Sequence, residues 1–452
     1  MSDILVLPQV DKEIASRIDA YSDDFWASTN RDPREDIHAY FQYPAMMVPG
    51  IQRELIEVVC ELQPMTRNVL DPFVGAGTTM TDCMYLALNF TGQDINPLAV
   101  LVSRTKMGPF FHKALPAKVE RVLERVGTDE SEQIEARFST LDKWFQPEVQ
   151  FELSKIRRAI RSENQLWARR FMWVALAETV RLTSNSRTST YKLHTRPKDE
   201  IESREISAIE TFGDIVSRNR DDFLGFRDAL NEAGCLHRDR HIGKLSIHLQ
   251  DSTVRILPPS DYANQYDLLI TSPPYGDNTS TVPYGQHSYL PLQWIDLEDI
   301  DEKASNGDWL RTTQEIDRRS LGGKRPRKLD PFVKHLAERS SSYKATVNSL
   351  TEQPRDRRSR VTAFSYDLDK TLDPIVSSLR RNAYLIWIVG NRHVGGIEIP
   401  TDEILIELLE RRQVIRVTQA TRRIVFRRMA ARNQISSMMR QEHILVFRKV
   451  GE

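Results

Sequence analysis

A chain of 452 residues exceeds one ordinary domain of about 100–200 residues, so a main domain carrying one or two large insertions is expected. Hydrophobic residues make up 40% and supply a core, while 28% charged residues, with no run near the ~20 apolar positions of a bilayer span, exclude an ordinary membrane protein. Lys+Arg and Asp+Glu balance at 63 each, so net charge neither favours nor excludes nucleic acid; local distribution decides.

Met1 to Ile14 lacks a basic region followed by an apolar run, so no secretory signal is expected and the cytoplasm is the expected location. Asn68 to Asp71 is a short apolar run that exits into glycines and reads as a strand. Thr78 to Leu88 reads as a helix, Asn89 to Asp94 as a second strand and Leu98 to Lys106 as a second helix. Strand, glycine turn, helix and strand within about thirty residues form a βαβ unit, the mark of a parallel sheet. From Gly108 to about Arg240 the chain is charged and helical in periodicity, most clearly over Phe145 to Val180, with a Ser/Thr-rich basic loop at Ser184 to Lys198. Strand character returns at Lys244 to Leu249 and Asp267 to Thr271. An irregular stretch, acidic then basic, follows from Asp277 to about Thr362. A helix (Leu368 to Arg381), a strand (Ala383 to Val389), a helix (Thr401 to Arg411) and strands at Val414 to Val417 and Ile444 to Phe447 complete an interrupted, doubly wound α/β domain. The segments are 36–106, 244–277 and 363–452 for the catalytic domain, 107–243 for a helical insertion and 278–362 for a basic, loop-rich one.

The segment Asp71-Pro72-Phe73-Val74-Gly75-Ala76-Gly77-Thr78-Thr79 leaves a strand and opens a helix. Gly75 and Gly77 let the backbone turn tightly and approach a ligand, and free N–H groups at the helix start favour a carboxylate. Asp71, at the strand's carboxyl end, is placed to accept from a cationic amino group. Asp94 ends the next strand, where an acid can accept from two ribose hydroxyls. Met80 stands where a dinucleotide motif needs its third glycine, which disfavours NAD.

The buried-strand run Tyr266 to Ile270 delivers Thr271-Ser272-Pro273-Pro274-Tyr275. Two prolines fix the backbone and remove N–H donors, leaving bare carbonyls. Such an acceptor-rich corner suits an –NH₂ group: the Ser272 hydroxyl and the Pro273 carbonyl take its two hydrogens, and Tyr275 offers a face for stacking a base.

These residues resemble the amino-methylating DNA methyltransferases, whose members carry a Phe-x-Gly-x-Gly cofactor motif and an Asp/Ser/Asn-Pro-Pro-Tyr/Phe catalytic motif. Here they are Phe73-Val74-Gly75-Ala76-Gly77 and Ser272-Pro273-Pro274-Tyr275, the serine form being typical of cytosine-N4 enzymes. The segment from Tyr43 to Pro49 resembles the one these enzymes close over the methionine end of the cofactor, and Gly92-Gln93-Asp94-Ile95-Asn96-Pro97 resembles their ribose-binding strand end. Asp251-Ser252 resembles the acid that meets the cofactor adenine, while Gly390-Asn391-Arg392 and Glu442 to Phe447 resemble late strands.

The resemblance implies a Rossmann-like, seven-stranded, mostly parallel sheet with one antiparallel strand, the class I fold that binds S-adenosyl-L-methionine. It implies that Tyr43, Asp71, Phe73, Gly75 and Gly77 bind that cofactor, together with Thr78, Thr79, Asp94, Ile95, Asp251 and Ser272. Ser272, Pro273, Pro274 and Tyr275 would be the catalytic set, acting on a base flipped out of duplex DNA. Two departures are visible. The cofactor motif precedes the catalytic one, the reverse of many cytosine-N4 enzymes, and roughly 190 residues separate them.

Methylation of an amino nitrogen needs no covalent adduct. The carbon-5 route uses a cysteine, usually one following a proline; Cys60, Cys83 and Cys235 follow Val59, Asp82 and Gly234, and all three read as reduced core thiols. The ten histidines show no paired helical spacing, so no metal is expected, and His38 reads as a packing residue. Arg318 to Lys328 and Arg355 to Arg360 are candidate phosphate contacts, as are Arg422, Arg423, Arg427, Arg428, Arg432 and Arg440. The segment from Asp277 to Arg360 and the helical insertion would embrace the duplex. Double-stranded DNA is the expected partner, with a separate restriction endonuclease as the cellular context. Adenine-N6 methylation, RNA amino-methylation and a non-catalytic cofactor-binding protein are the alternatives.

Overall fold

The computed structural model describes residues 9–27, 36–259, 264–424 and 441–451. Its centre is one seven-stranded sheet. In chain order the strands are β1 (Asn68–Asp71), β2 (Asn89–Asp94), β3 (Leu245–Leu249), β4 (Tyr266–Thr271), β5 (Leu379–Val389), β6 (Val414–Arg423) and β7 (Gln441–Lys449). Across the sheet they run β6-β7-β5-β4-β1-β2-β3. Strands β3, β2, β1, β4 and β5 are mutually parallel. Only β7 runs against its neighbours, β5 and β6. This is the expected Rossmann-like α/β sheet with its single antiparallel strand.

Central strands are apolar on both faces because helices cover both. In β1, Val69 faces one apolar layer and Leu70 the other; in β4, Leu268 and Ile270 face the first and Leu269 the second. The first layer is closed by helices Ile51–Leu62, Thr78–Tyr85, Pro97–Lys106 and Leu166–Thr183, the second by Ser341–Ser349, Arg355–Ser378 and Thr401–Glu410. Deleting a buried leucine side chain such as that of Leu268 is expected to cost about 2–5 kcal/mol. From β1 the chain moves to β2 and β3 on one side, then starts β4 on the other. The carboxyl ends of β1 and β4 therefore flank the point where strand order reverses, the usual position of a ligand crevice in open α/β sheets.

Several elements differ from their expected form. The helical stretch around Phe145 to Val180 is two helices, Pro147–Arg161 and Leu166–Thr183, broken where Glu163 Oε1 accepts from Gln165 N at 3.0 Å. The loop expected at 184–198 contains only an isolated bridge between Ser186 and Thr195 before helix Lys198–Glu202. The stretch 278–362, expected to be loop-rich, carries helices Tyr284–Trp294, Glu315–Arg319, Asp330–Ala337 and Ser341–Ser349. Tyr289, Leu290, Leu292 and Trp294 are buried in the first layer, and the sparser apolar residues Leu336, Tyr343, Val347 and Leu350 in the second. Arg355 to Arg360 are not a loop but the first turns of helix Arg355–Ser378, supported by an Asp356–Arg360 pair at 2.7 Å. Asp299 ties this stretch to the first insertion: it accepts from Arg169 through two bonds of 2.7 Å and from Trp173 Nε1 at 2.7 Å. Among the described residues, no helix is long and apolar enough to cross a membrane.

Candidate active site

The glycine bend begins at the carboxyl end of β1. Gly75 and Gly77 both have positive φ (+50° and +81°), and a Cβ on Gly77 would lie 3.0 Å from Ser103 Oγ. Ser103 Oγ donates to Gly75 O at 2.8 Å, which fixes the bend from below. Asp71 is fully buried; its Oδ1 accepts from Phe73 N at 3.0 Å and from Thr271 Oγ1 at 2.6 Å. Its Oδ2 has no hydrogen-bond partner among the described residues. Burial pushes the carboxyl up to about 6, because a charge removed from water is disfavoured. An unpaired buried carboxylate oxygen beneath a glycine bend fits a cationic amino group.

Asp94 closes β2. Its Oδ2 accepts from Gly75 N at 3.0 Å and its Oδ1 from Asn96 N at 2.8 Å, while burial pushes this carboxyl also up to about 6. Asn96 caps helix Pro97–Lys106 by accepting from Leu98 N at 3.1 Å. Its Nδ2 donates to Tyr43 Oη at 3.0 Å and to Ser288 Oγ at 2.8 Å. The Tyr43 ring stacks on Tyr284 with centroids 5.6 Å apart. Ser252 Oγ donates to Pro72 O at 2.8 Å and seats the Asp251 turn beside the bend, with Asp251 Oδ1 accepting from Thr253 N at 2.8 Å.

At the end of β4, Ser272 Oγ and Tyr275 Oη are 2.9 Å apart, and Tyr275 Oη donates to Glu442 Oε1 at 2.9 Å. Glu442 Oε2 accepts from Arg422 Nε at 2.5 Å and also from Arg422 Nη2. Gly276 leaves room for Arg392, whose Nη1 would lie 2.5 Å from a Cβ there. Arg392 Nη1 donates to Asp277 Oδ2 and to Ser280 Oγ, each at 3.1 Å, which fixes the exit of the turn.

One open cleft of about 890 Å³, mouth included, joins these parts. Tyr43, Phe73, Gly75, Thr78, Asp94 and Ile95 line it, as do Asp251, Ser272 and Pro274. Asp71, Gly77, Thr79, Pro273 and Tyr275 are not among its lining residues. Asp71 and Thr79 are wholly buried, and Tyr275 turns its hydroxyl toward β7. The cleft also has walls not assigned to it from the sequence: Asn278 and Tyr284, and Arg319, Ser320 and Leu321 from the cluster expected at phosphates. Asn278 Nδ2 donates to Ser320 Oγ at 2.7 Å, and its Oδ1 is buried without a partner among the described residues. Its place six residues after Ser272, in a polar run, was the available signal.

Outside the cleft, exposed Arg318, Lys324, Arg325, Arg327 and Lys328 follow its wall. Arg422, expected among phosphate contacts, is instead 9% exposed and committed to Glu442, because it projects inward from β6. Arg423 is exposed, whereas Arg427, Arg428, Arg432 and Arg440 lie outside the described residues. The three cysteines are free thiols away from the cleft, and burial pushes Cys60 up to about 11. His38 is buried, 3.4 Å from Thr81 Oγ1, and burial holds it well below the usual histidine range. Among the described residues no three His, Cys, Asp or Glu side chains gather as a metal site would require.

A seven-stranded sheet with one reversed strand and a cleft at its switch point is the fold of the Rossmann-like methyltransferases. No protein-family model matches the chain. Over 420 residues, covering 89% of this chain and 87% of the other, it is 30% identical to Type II methyltransferase M.MvaI of Kocuria varians. The chain belongs to the Type II methyltransferase family.

Proposed function

We propose that the protein is a site-specific DNA methyltransferase that modifies the N4 amino group of cytosine in duplex DNA, using S-adenosyl-L-methionine. The observation that carries this reading is the shared cleft: Gly75, from one motif, and Ser272, from the other, line the same cavity although 197 positions separate them. Membership among the Type II methyltransferases supports DNA as substrate and a separate restriction endonuclease as the cellular counterpart.

The fit to the cofactor rests on the buried Asp71 Oδ2, which lacks a partner among the described residues, and on the positive-φ bend at Gly75. Asp71 would hold the amino group, the bend and Thr78 the carboxylate, Asp94 the ribose hydroxyls and Asp251 the adenine amino group. When bound, S-adenosyl-L-methionine supplies an activated methyl on a sulfonium. The remaining work belongs to the chain. A base inside a duplex cannot reach this cleft, so the target is flipped out, at a cost of a few kcal/mol. Ser272 Oγ and the Pro273 carbonyl take the two amino hydrogens, leaving the nitrogen lone pair free for in-line attack. Tyr275 supplies a ring face, and much of the rate gain comes from positioning. The exposed cations from Arg318 to Lys328, at the rim, meet the phosphates, and the helices of 107–243 flank the duplex.

The test is to modify DNA with the purified protein, digest it and identify the methylated nucleoside. N4-methylcytosine is expected. N6-methyladenine would transfer the same site to adenine, and modification of RNA alone would remove duplex DNA as the substrate.

A further inference from the structure

The chain of contacts behind Ser272 has a direction. Glu442 is a carboxylate that accepts from Arg422 through one oxygen and from Tyr275 through the other. A carboxylate has acceptors only, so the Tyr275 proton must point at Glu442. The Tyr275 oxygen can then meet Ser272, 2.9 Å away, only by accepting, and this consumes the single Ser272 proton. What Ser272 has left for the cleft is lone pairs.

We infer that Glu442 and Arg422 are positioning residues that set Ser272 as a pure hydrogen-bond acceptor, and that this polarity selects a pyrimidine bearing an amino group over one bearing a carbonyl at the same ring position. The inference rests on the amino-methyltransferase reading given above. Neither residue touches the substrate: Glu442 acts through Tyr275, and Arg422 acts by claiming one Glu442 oxygen. Cytosine presents two N4–H donors to the Ser272 lone pairs. Uracil and thymine present O4, an acceptor facing an acceptor, and a buried polar pair of that kind is costly. The pair is well placed for this: Arg422 is 9% and Glu442 8% exposed, so water offers little alternative partnering.

Glu442→Gln makes a sharp test. Arg422 donates only and therefore keeps the amide oxygen, which turns the amide NH₂ toward Tyr275. Tyr275 must then accept from it and donate to Ser272, and the Ser272 proton is released into the cleft. The variant should relax the preference for cytosine rather than merely weaken binding of both bases.

The measurement compares binding of two duplexes, identical except for cytosine or uracil at the position methylated by the wild-type protein, for wild type, Glu442→Gln and Tyr275→Phe. Taking each variant's cytosine-to-uracil affinity ratio relative to that of wild type cancels the easier flipping of a mismatched base. The ratio should fall about tenfold or more in Glu442→Gln, which is about 1.4 kcal/mol. It should fall by less in Tyr275→Phe, where Ser272 is free to rotate. Turnover on cytosine should fall in kcat more than in KM for both. A folded Glu442→Gln protein with the wild-type ratio overturns the inference. Should that variant not fold, an unchanged ratio in Tyr275→Phe overturns it equally. Failure of the wild type to methylate cytosine at all is a different result, and strikes the functional reading instead.

Discussion

Thr271 Oγ1 donates to Asp71 Oδ1 across 2.6 Å, joining the strand that ends in the proline turn to the strand that ends in the glycine bend. The two residues are 200 positions apart in the chain and adjacent in the sheet. Thr271→Val removes the donor at nearly constant volume and leaves Asp71 with one fewer partner. Losing a hydrogen bond to a buried charged group should destabilise the fold by about 1–3 kcal/mol, read from denaturant unfolding. Cofactor affinity should fall with it, because Asp71 loses its fixed orientation.

Asp71 sets a pH dependence of opposite sign for stability and for binding. Its folded value of about 6 lies above the ordinary carboxylate value, so folding favours the acid form. Without ligand, its contribution is most favourable below about pH 4 and declines as pH rises to about 6. A shift of roughly two units corresponds to at most about 3 kcal/mol. A cationic ligand needs the ionised form, so the affinity for S-adenosylhomocysteine should weaken as pH falls through about 6. Titration calorimetry on wild type and Asp71→Asn checks both: the variant should lose affinity about tenfold or more and lose most of the dependence. An unchanged affinity at pH 7 would show that the amino group is held elsewhere.

Ser272→Ala and Tyr275→Ala should abolish detectable methylation, a loss of about a hundredfold or more, while cofactor affinity stays within a few-fold of wild type. Removing groups that orient the reacting nitrogen affects the chemical step more than binding. Radiolabel transfer and calorimetry on the same preparations separate the two effects. Normal turnover in both variants under limiting DNA would dismiss the assignment.

Replacing Arg318, Lys324, Arg327 and Lys328 together by Glu should weaken duplex binding and flatten its dependence on salt. Each phosphate contact contributes about 0.9 to the slope of log affinity against log salt concentration, so four lost contacts would lower it by about 3–4. Affinity measured at two or more salt concentrations decides; an unaltered slope takes this loop out of the interface.

Gly77→Ala should cost about 1–2 kcal/mol, since its φ of +81° is unfavourable for any residue with a Cβ and that Cβ would press on Ser103 Oγ. Thermal unfolding reads the cost, and cofactor binding should fall in parallel.

What could be read from the sequence was local. β1, the glycine bend and β2 lie within one continuous stretch, where the exit of Asn68–Asp71 into Gly75 and Gly77 marks each boundary. The run Tyr266–Thr271 likewise announces a strand buried on both faces. The helices between 278 and 362 were hidden for different reasons: Tyr284–Trp294 is buried nearly all round and carries Pro291, so it shows no amphipathic period, while Glu315–Arg319 and Asp330–Ala337 are short and charged. Arg422 looked like one more surface cation, and nothing near it in sequence reveals the Glu442 that claims it from the neighbouring strand. Tyr275 was legible as part of a motif, but its hydroxyl's partner is 167 positions away and depended on the sheet being assembled.

That assembly has an order in time. β7 lies between β5 and β6, so until residues 441–449 have been synthesised β6 has no neighbour among the described strands and the serine corner has no acid behind it. A nascent chain halted before that strand would carry both motifs and still hold an unfinished serine corner. Competence to modify DNA would thus arrive all at once, when a single reversed strand slides into the remaining gap.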